Sequence, residues 1–205
     1  MNILLNDKER ELYVDSIQEL HHLCPDTISR KIERANVQQG FMLDMVKKLC
    51  TKESRLLCVG SFEDTACESL NKLGYQITEI DPSINTDLNG FFSTQPGLFD
   101  IVFSTSVIEH VPDDELFIKQ ICQLLNPNGC AVITCDFNND YGKPNISKPI
   151  EDHRLYTKND LLVRFDKILK ENSCEIWGDI DYDQTPDFHY NGSVYSFATY
   201  VFIKR

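Results

Sequence analysis

The sequence predicts a doubly wound α/β domain with a mostly parallel sheet. Three observations carry that prediction. Short apolar runs alternate with helix-patterned segments from residue 55 onward. Several of those runs end in small or acidic residues, and the last two follow one another with no helix between them. Alternation puts helices on both faces of a parallel sheet. Right-handed crossovers then bring the loops after its strands to one edge. Two closing strands without a helix can pair as an antiparallel hairpin.

In chain order, residues up to about 52 read as helical, interrupted once near Cys24-Pro25-Asp26. FMLDMVKKL (41–49) places Phe41, Met42, Met45, Val46 and Leu49 on one face. RLLCVG (55–60) reads as a strand and EDTACESLNKLG (63–74) as a helix closed by Gly74. YQITEID (75–81) is the second strand and LFDIVFSTS (98–106) a strongly apolar one. The helix PDDELFIKQICQLLNPNG (112–129) starts at Pro112, Asp113 and Asp114, where acidic side chains suit the dipole. CAVITCDF (130–137) is another buried strand. Four strand ends are polar: Gly60-Ser61, Asp81, Ser104-Thr105-Ser106 and Asp136. A ligand site along that edge is the expectation.

NNDYGKPNISKPIEDH (138–153) is a long polar connection of the kind that often serves as a lid. A helix (157–172), a strand (174–180) and a final apolar strand (193–205) follow. DFNNDYG (136–142) has some calcium-loop character, but Gly142 is one place late and Ser147 stands where a bidentate Glu belongs. Asp136, Asp152 and His153 offer an oxygen/nitrogen set for magnesium. Loop residues of this sort are more often exposed turn residues, and no metal is expected.

Length and charge narrow the partners. A chain of 205 residues is most simply one domain, burying roughly 70% of its unfolded surface. With 32 Asp and Glu against 20 Lys and Arg, the formal charge is −12, which repels phosphate backbones. Nucleic acid is therefore not an expected partner. No apolar stretch nears the roughly 20 residues of a membrane span, so no membrane partner is expected either. The N-terminus turns charged within a few residues, unlike a secretory signal. Eight cysteines form no Cys-x-x-Cys pair and mostly sit in apolar runs, as small buried hydrophobes do. A reduced, cytoplasmic protein is the expectation.

The order FDIVFSTSVIEHVPDDELFIKQICQLLNPNGCAVIT, preceded by ITEIDPS and followed by HRLYTKNDL, resembles class I S-adenosylmethionine-dependent methyltransferases. The resemblance spans about residues 53–203. It implies a Rossmann-like, mostly parallel seven-stranded sheet with a C-terminal antiparallel hairpin. Residues 1–52 would form an N-terminal helical extension of the same domain, and 53–205 the methyltransferase-like part. S-adenosylmethionine is the implied cofactor. Asp81, with Pro82 after it and 21 residues beyond Gly60, suits an acceptor for the ribose hydroxyls. Asp87 and Leu88 would meet the adenine, while Ser104, Thr105 and Ser106 would border the methionine part. Gly60, Ser61, Phe62 and Glu63 form the first loop.

That loop departs from the family pattern. Cys58 stands where an acidic residue is preferred, and Phe62 and Asp64 replace the later glycines of a dinucleotide loop. Glu63 or Asp64 can supply negative charge from the other side of the turn. The cofactor carries no pyrophosphate, so the missing glycines matter less than they would for a dinucleotide.

The resemblance implies methyl transfer, most plausibly to an oxygen of a small polar metabolite or sugar. The protein must align the acceptor, exclude water and take up a proton. Candidate catalytic groups are His153, then His110, with Asp136 and Tyr156 on the same sheet edge. The partner is a small-molecule acceptor, and the chain a monomer or homodimer. The altered first loop motivates an alternative, a non-catalytic methyltransferase-fold binding or scaffold protein. A nicotinamide-dependent oxidoreductase would need the missing glycines and further parallel strands.

Overall fold

A computed structural model describes residues 1–144, 146–149 and 153–205. Nine strands among them form one sheet: β1 (Asn2–Leu5), β2 (Leu56–Val59), β3 (Ile77–Ile80), β4 (Phe99–Thr105), β5 (Leu125–Phe137), β6 (Cys174–Ile176), β7 (Ile180–Asp181), β8 (Phe188–Tyr190) and β9 (Ser193–Lys204). The order is β3-β2-β4-β5-β9-β1-β7, with β6 and β8 also pairing β9. The block β3-β2-β4-β5 is parallel, and β9 runs antiparallel to β5. The expected closing pair is present, because β6 pairs β9 antiparallel from Cys174 opposite Lys204.

Two expectations need correction. Residues 1–52 are not wholly helical: Asn2–Leu5 is a strand, antiparallel to β9 and parallel to β7. The sheet has nine strands instead of seven. Part of the excess arises because residues 174–180 split into β6 and the start of β7, with Gly178 at φ +88° between them. Polar side chains seat β1. Asn2, fully buried, donates to the Trp177 carbonyl at 2.9 Å and accepts the Val201 amide at 2.7 Å. The Thr199 hydroxyl donates to the Met1 carbonyl at 2.7 Å.

The helices are α1 (Asp7–Arg10), α2 (Val14–Leu23), α3 (Pro25–Ile28), α4 (Asn36–Leu49), α5 (Thr65–Lys72), α6 (Leu88–Ser93), α7 (Asp114–Leu124) and α8 (Phe165–Glu171). Side chains start several of them. Asp64 accepts the Cys67 amide at 2.7 Å, Asp87 the Gly90 amide at 2.7 Å and Asp113 the Leu116 amide at 2.9 Å. Each such cap contributes about 1 kcal/mol.

Alternation along the strands divides the core between the two faces. Leu57, Val59 and Val102 pack with Ile118, Ile121 and Phe165 of α7 and α8. Leu56, Cys58 and Phe103 pack with Phe41, Met42 and Leu70 of α4 and α5. Each fully buried side chain of this size contributes roughly 1.5–3 kcal/mol. All eight cysteines are free thiols, and seven are buried. Among the described residues no helix is long and apolar enough to cross a membrane.

Candidate active site

The first loop is held at the sheet edge by its backbone. The Gly60 amide donates to the Ile80 carbonyl at 2.8 Å, and Gly60 sits at φ +83°. A Cβ there would collide with the Val107 side chain, so only glycine lets the strand end pass beneath the next loop. Cys58 is buried against Cys67 in the α5 layer, and burial pushes its thiol up. An acid in that place would face the same dry surroundings. Glu63, at φ +55°, turns to Arg30 at 2.9 Å and Lys31 at 3.3 Å, which hold its carboxyl below the usual range. Asp64 instead is buried in the wall, where burial raises its pKa against the Cys67 amide and Thr105.

A cavity of about 1030 Å³ opens along this edge. Gly60, Phe62, Glu63, Asp81, Pro82, Asp87, Leu88, Thr105 and Ser106 line one part of it, and His110, Asp136 and His153 another. Asp81 accepts the Phe62 amide at 3.3 Å and the Ser83 amide at 2.7 Å, so the acid of the second strand clasps the first loop. Asp87 spends one oxygen as the cap of α6.

At the other end Glu109, Asp136 and His153 converge, all buried, with ligand-type atoms within 4.8 Å of one another. Asp136 ends β5, Glu109 lies in the 3₁₀ turn Ile108–His110 after β4, and His153 returns from the long connection. His153 Nε2 lies 2.7 Å from Asp136 Oδ2, outside hydrogen-bonding alignment. Both Glu109 oxygens and Asp136 Oδ1 are likewise buried without a partner. Burial pushes Asp136 up to about 8, opposed by the Tyr195 hydroxyl. Glu109 goes far above the carboxylate range through burial and the neighbouring Asp136. Burial lowers His153. His110 meets it edge-to-face with ring centres 4.8 Å apart, and is lowered by its own burial and by His153.

Three predicted site residues do not line the cavity. Ser104 is fully buried and donates to the Val59 carbonyl at 2.9 Å, bracing β4 against β2. Ser61 is buried beneath the loop, its amide on the Ile80 carbonyl. Tyr156 is a correction to the catalytic set. It is buried against Phe165, and its hydroxyl donates to the Ile108 carbonyl at 2.9 Å and contacts Asp114 at 3.2 Å. Asp152 lies outside the described residues.

Sequence reasoning missed other wall residues. Gln38 and Gln39 come from α4, and Tyr195 from β9. Gln38 Oε1 accepts the Ser106 hydroxyl at 2.7 Å and the Thr134 hydroxyl at 2.6 Å. Nothing in the local pattern of α4 marks these glutamines. Glu109 had a signal, the Glu-His pair that follows the polar strand end Ser104-Thr105-Ser106.

The fold and wall define a class. A parallel sheet closed by an antiparallel strand, a glycine turn after its first parallel strand and an acid at the second strand tip are those of class I S-adenosylmethionine-dependent methyltransferases. The chain belongs to the methyltransferase-domain family, whose profile matches residues 29–172, most of its length. A ubiquinone biosynthesis O-methyltransferase of Bradyrhizobium diazoefficiens is 30% identical over an alignment covering 42% of this chain and 41% of that protein. The chain thus matches under half the length of that relative. Among solved structures, TehB from Haemophilus influenzae gives a TM-score of 0.59 at 18% identity, covering 81% of this chain and 62% of that one. The Burkholderia thailandensis 1,6-didemethyltoxoflavin-N1-methyltransferase, solved with S-adenosylhomocysteine, gives 0.56 at 13% identity, covering 94% and 87%.

S-adenosylmethionine is the cofactor of this class, and the wall suits it. Asp81 and Asp87 stand on the cavity wall as carboxylates able to accept from hydroxyl and amino groups. Thr105 and Asp64 line the same wall, and Asp64 is an acid within it. The volume lies at the upper end of the range for ligand pockets, which suits a cofactor with an acceptor beside it.

Proposed function

We propose that this chain is an S-adenosylmethionine-dependent methyltransferase acting on an oxygen atom of a small polar molecule. One observation carries the reading: a continuous cavity joins the loop residues Gly60, Asp81 and Asp87 to the titratable group of Glu109, His110, Asp136 and His153. The cofactor supplies a methyl group activated on a sulfonium. The chain's own residues then have three tasks. Gly60, Asp81, Asp87 and Leu88 bind and orient the nucleoside. The buried walls around Thr105 and Tyr195 exclude water from the acceptor end. His110, the more open of the two imidazoles and neutral at pH 7 because its pKa is lowered, takes the acceptor's proton. Asp136 and His153 contact the acceptor.

Several observations support an oxygen acceptor. The cluster lies in the cavity wall, its groups are suited to proton uptake, and the curated relative named above is an O-methyltransferase. Calorimetry with S-adenosylmethionine and S-adenosylhomocysteine is the first test, with binding of both expected. Methyl transfer to a panel of hydroxylated metabolites is the second. Absence of binding of either compound at millimolar concentration overturns the reading.

A further inference from the structure

The acceptor end of the cavity contains more unsatisfied charge than methyl transfer itself requires. Glu109 is fully buried, with both carboxylate oxygens unpartnered. Asp136 is 3% exposed with Oδ1 unpartnered, and His153 is 7% exposed with Nε2 unpartnered. An unpaired buried acceptor costs about 1–3 kcal/mol, more for a charged one. Three such side chains from three separate segments converge on one point, where a common partner would satisfy them. All three line the cavity, so the partner can be reached from solvent.

We infer that Glu109, Asp136 and His153 form a binding site for a first-row divalent cation of the manganese, iron or zinc kind. A dication fits this set better than an organic ammonium. The ion displaces the protons that burial holds on the two carboxyls, and its two charges balance the carboxylates so formed, where one ammonium would leave one of them unmet. The three donor atoms lie within 4.8 Å of one another, a spread that one ion with ligands about 2.1 Å away can span after small side-chain adjustments. The donor set of two oxygens and one imidazole nitrogen argues against calcium, which takes oxygen ligands.

The site leaves coordination positions open toward the cavity. There a bound cation would hold an acceptor oxygen and lower its pKa, a role that rests on the methyltransferase reading, whereas cation binding itself does not. The set differs from the magnesium group weighed from sequence, since Glu109 stands where Asp152 was considered. Its buried acid came into view only once β4 and β5 were paired.

The full chain, stripped with EDTA and titrated with Mn²⁺ under electron paramagnetic resonance, tests this. The expected result is one tightly held Mn²⁺ per chain, with pulsed spectra showing coupling to a histidine nitrogen. Zn²⁺ should compete for the same site. Glu109→Gln and His153→Asn should each weaken Mn²⁺ binding more than about tenfold, the loss seen for supporting groups alone. Asp140→Asn, an exposed carboxylate on the long connection, should not. Absence of bound Mn²⁺, binding without nitrogen coupling, or binding unchanged by both site variants overturns the inference. The wild-type nitrogen signal decides the matter even if a variant misfolds. Calorimetry with S-adenosylhomocysteine on the same sample separates the two readings: cofactor binding without Mn²⁺ binding sinks only the cation site.

Discussion

Gln38 reaches from α4 to the end of β4 and accepts the Ser106 hydroxyl at 2.7 Å. Ser106 sits at φ +51°, a conformation that non-glycine residues rarely hold without support. The same Gln38 oxygen accepts the Thr134 hydroxyl, so one side chain from the N-terminal region fixes the ends of two central strands. Gln38→Ala should leave both hydroxyls unsatisfied and cost about 1–3 kcal/mol in urea unfolding. S-adenosylhomocysteine affinity should fall roughly tenfold, equivalent to about 1.4 kcal/mol. Unchanged affinity would show that α4 does not shape the cofactor end.

Gly60→Ala should be more damaging. The substitution meets Val107 and a left-handed backbone at once. We expect about 1–3 kcal/mol of destabilisation from overpacking and loss of measurable cofactor binding. Adding Val107→Ala should restore part of the stability, because it removes the collision but not the backbone strain. Thermal unfolding of the single and double variants measures the split.

His110 and Tyr156 have opposite expectations. His110→Gln should lower kcat about 100-fold or more while leaving cofactor affinity unchanged, as removal of a proton acceptor does. Tyr156→Phe should leave kcat near wild type and cost about 1 kcal/mol of stability, since its hydroxyl serves Ile108 and Asp114. Steady-state kinetics beside urea unfolding resolves the two.

The buried ion cluster below the cavity sets the acid response. Asp114 meets Arg164 at 2.8 Å and Arg154 at 2.8 Å. Burial works to raise its pKa, but the two guanidiniums outweigh it and hold the carboxyl below the ordinary 3.8. A depressed folded-state pKa contributes stability above the unfolded value and loses it as pH falls through the folded one. Asp114→Asn should therefore cost about 3 kcal/mol at neutral pH, as breaking a buried pair does. The gap between wild type and variant should begin to narrow near pH 3.8 and close only once the pH has fallen through the lower folded-state value, where Asp114 is neutral in both states. Denaturation midpoints across the acid range test the sign.

Much of the parallel block was legible in sequence because local and global signals agree there. LLCV and FDIVFST are apolar runs bounded by polar strand ends, and Asp64 and Asp113 stand at helix starts as capping chemistry requires. The strand β1 was not legible. Four residues, NILL, carry no period of their own, and their partner lies at the far end of the chain. The same holds for much of the cavity wall. Gln38, Glu109 and Tyr195 come from three distant segments, and only the assembled fold reveals that all three line one cavity. Ser104 and Tyr156 sit at promising positions along the chain, but their side chains turn to the Val59 and Ile108 carbonyls.

The pairing of β1 also sets an order of events during synthesis. Leu4 lies opposite Ala198 and Asn2 opposite Ile180, so β1, made before the parallel block, has no place in the sheet until β7 and β9 have been made after it. The parallel block and its helices can collapse earlier, on contacts closer in sequence. Until residue 198 emerges, the free edge of β5 stays uncovered and open to pairing with a neighbouring chain. Slow translation before β9, or loss of that strand, would prolong that interval, which makes Ser193–Lys204 a safeguard against aggregation as much as a strand.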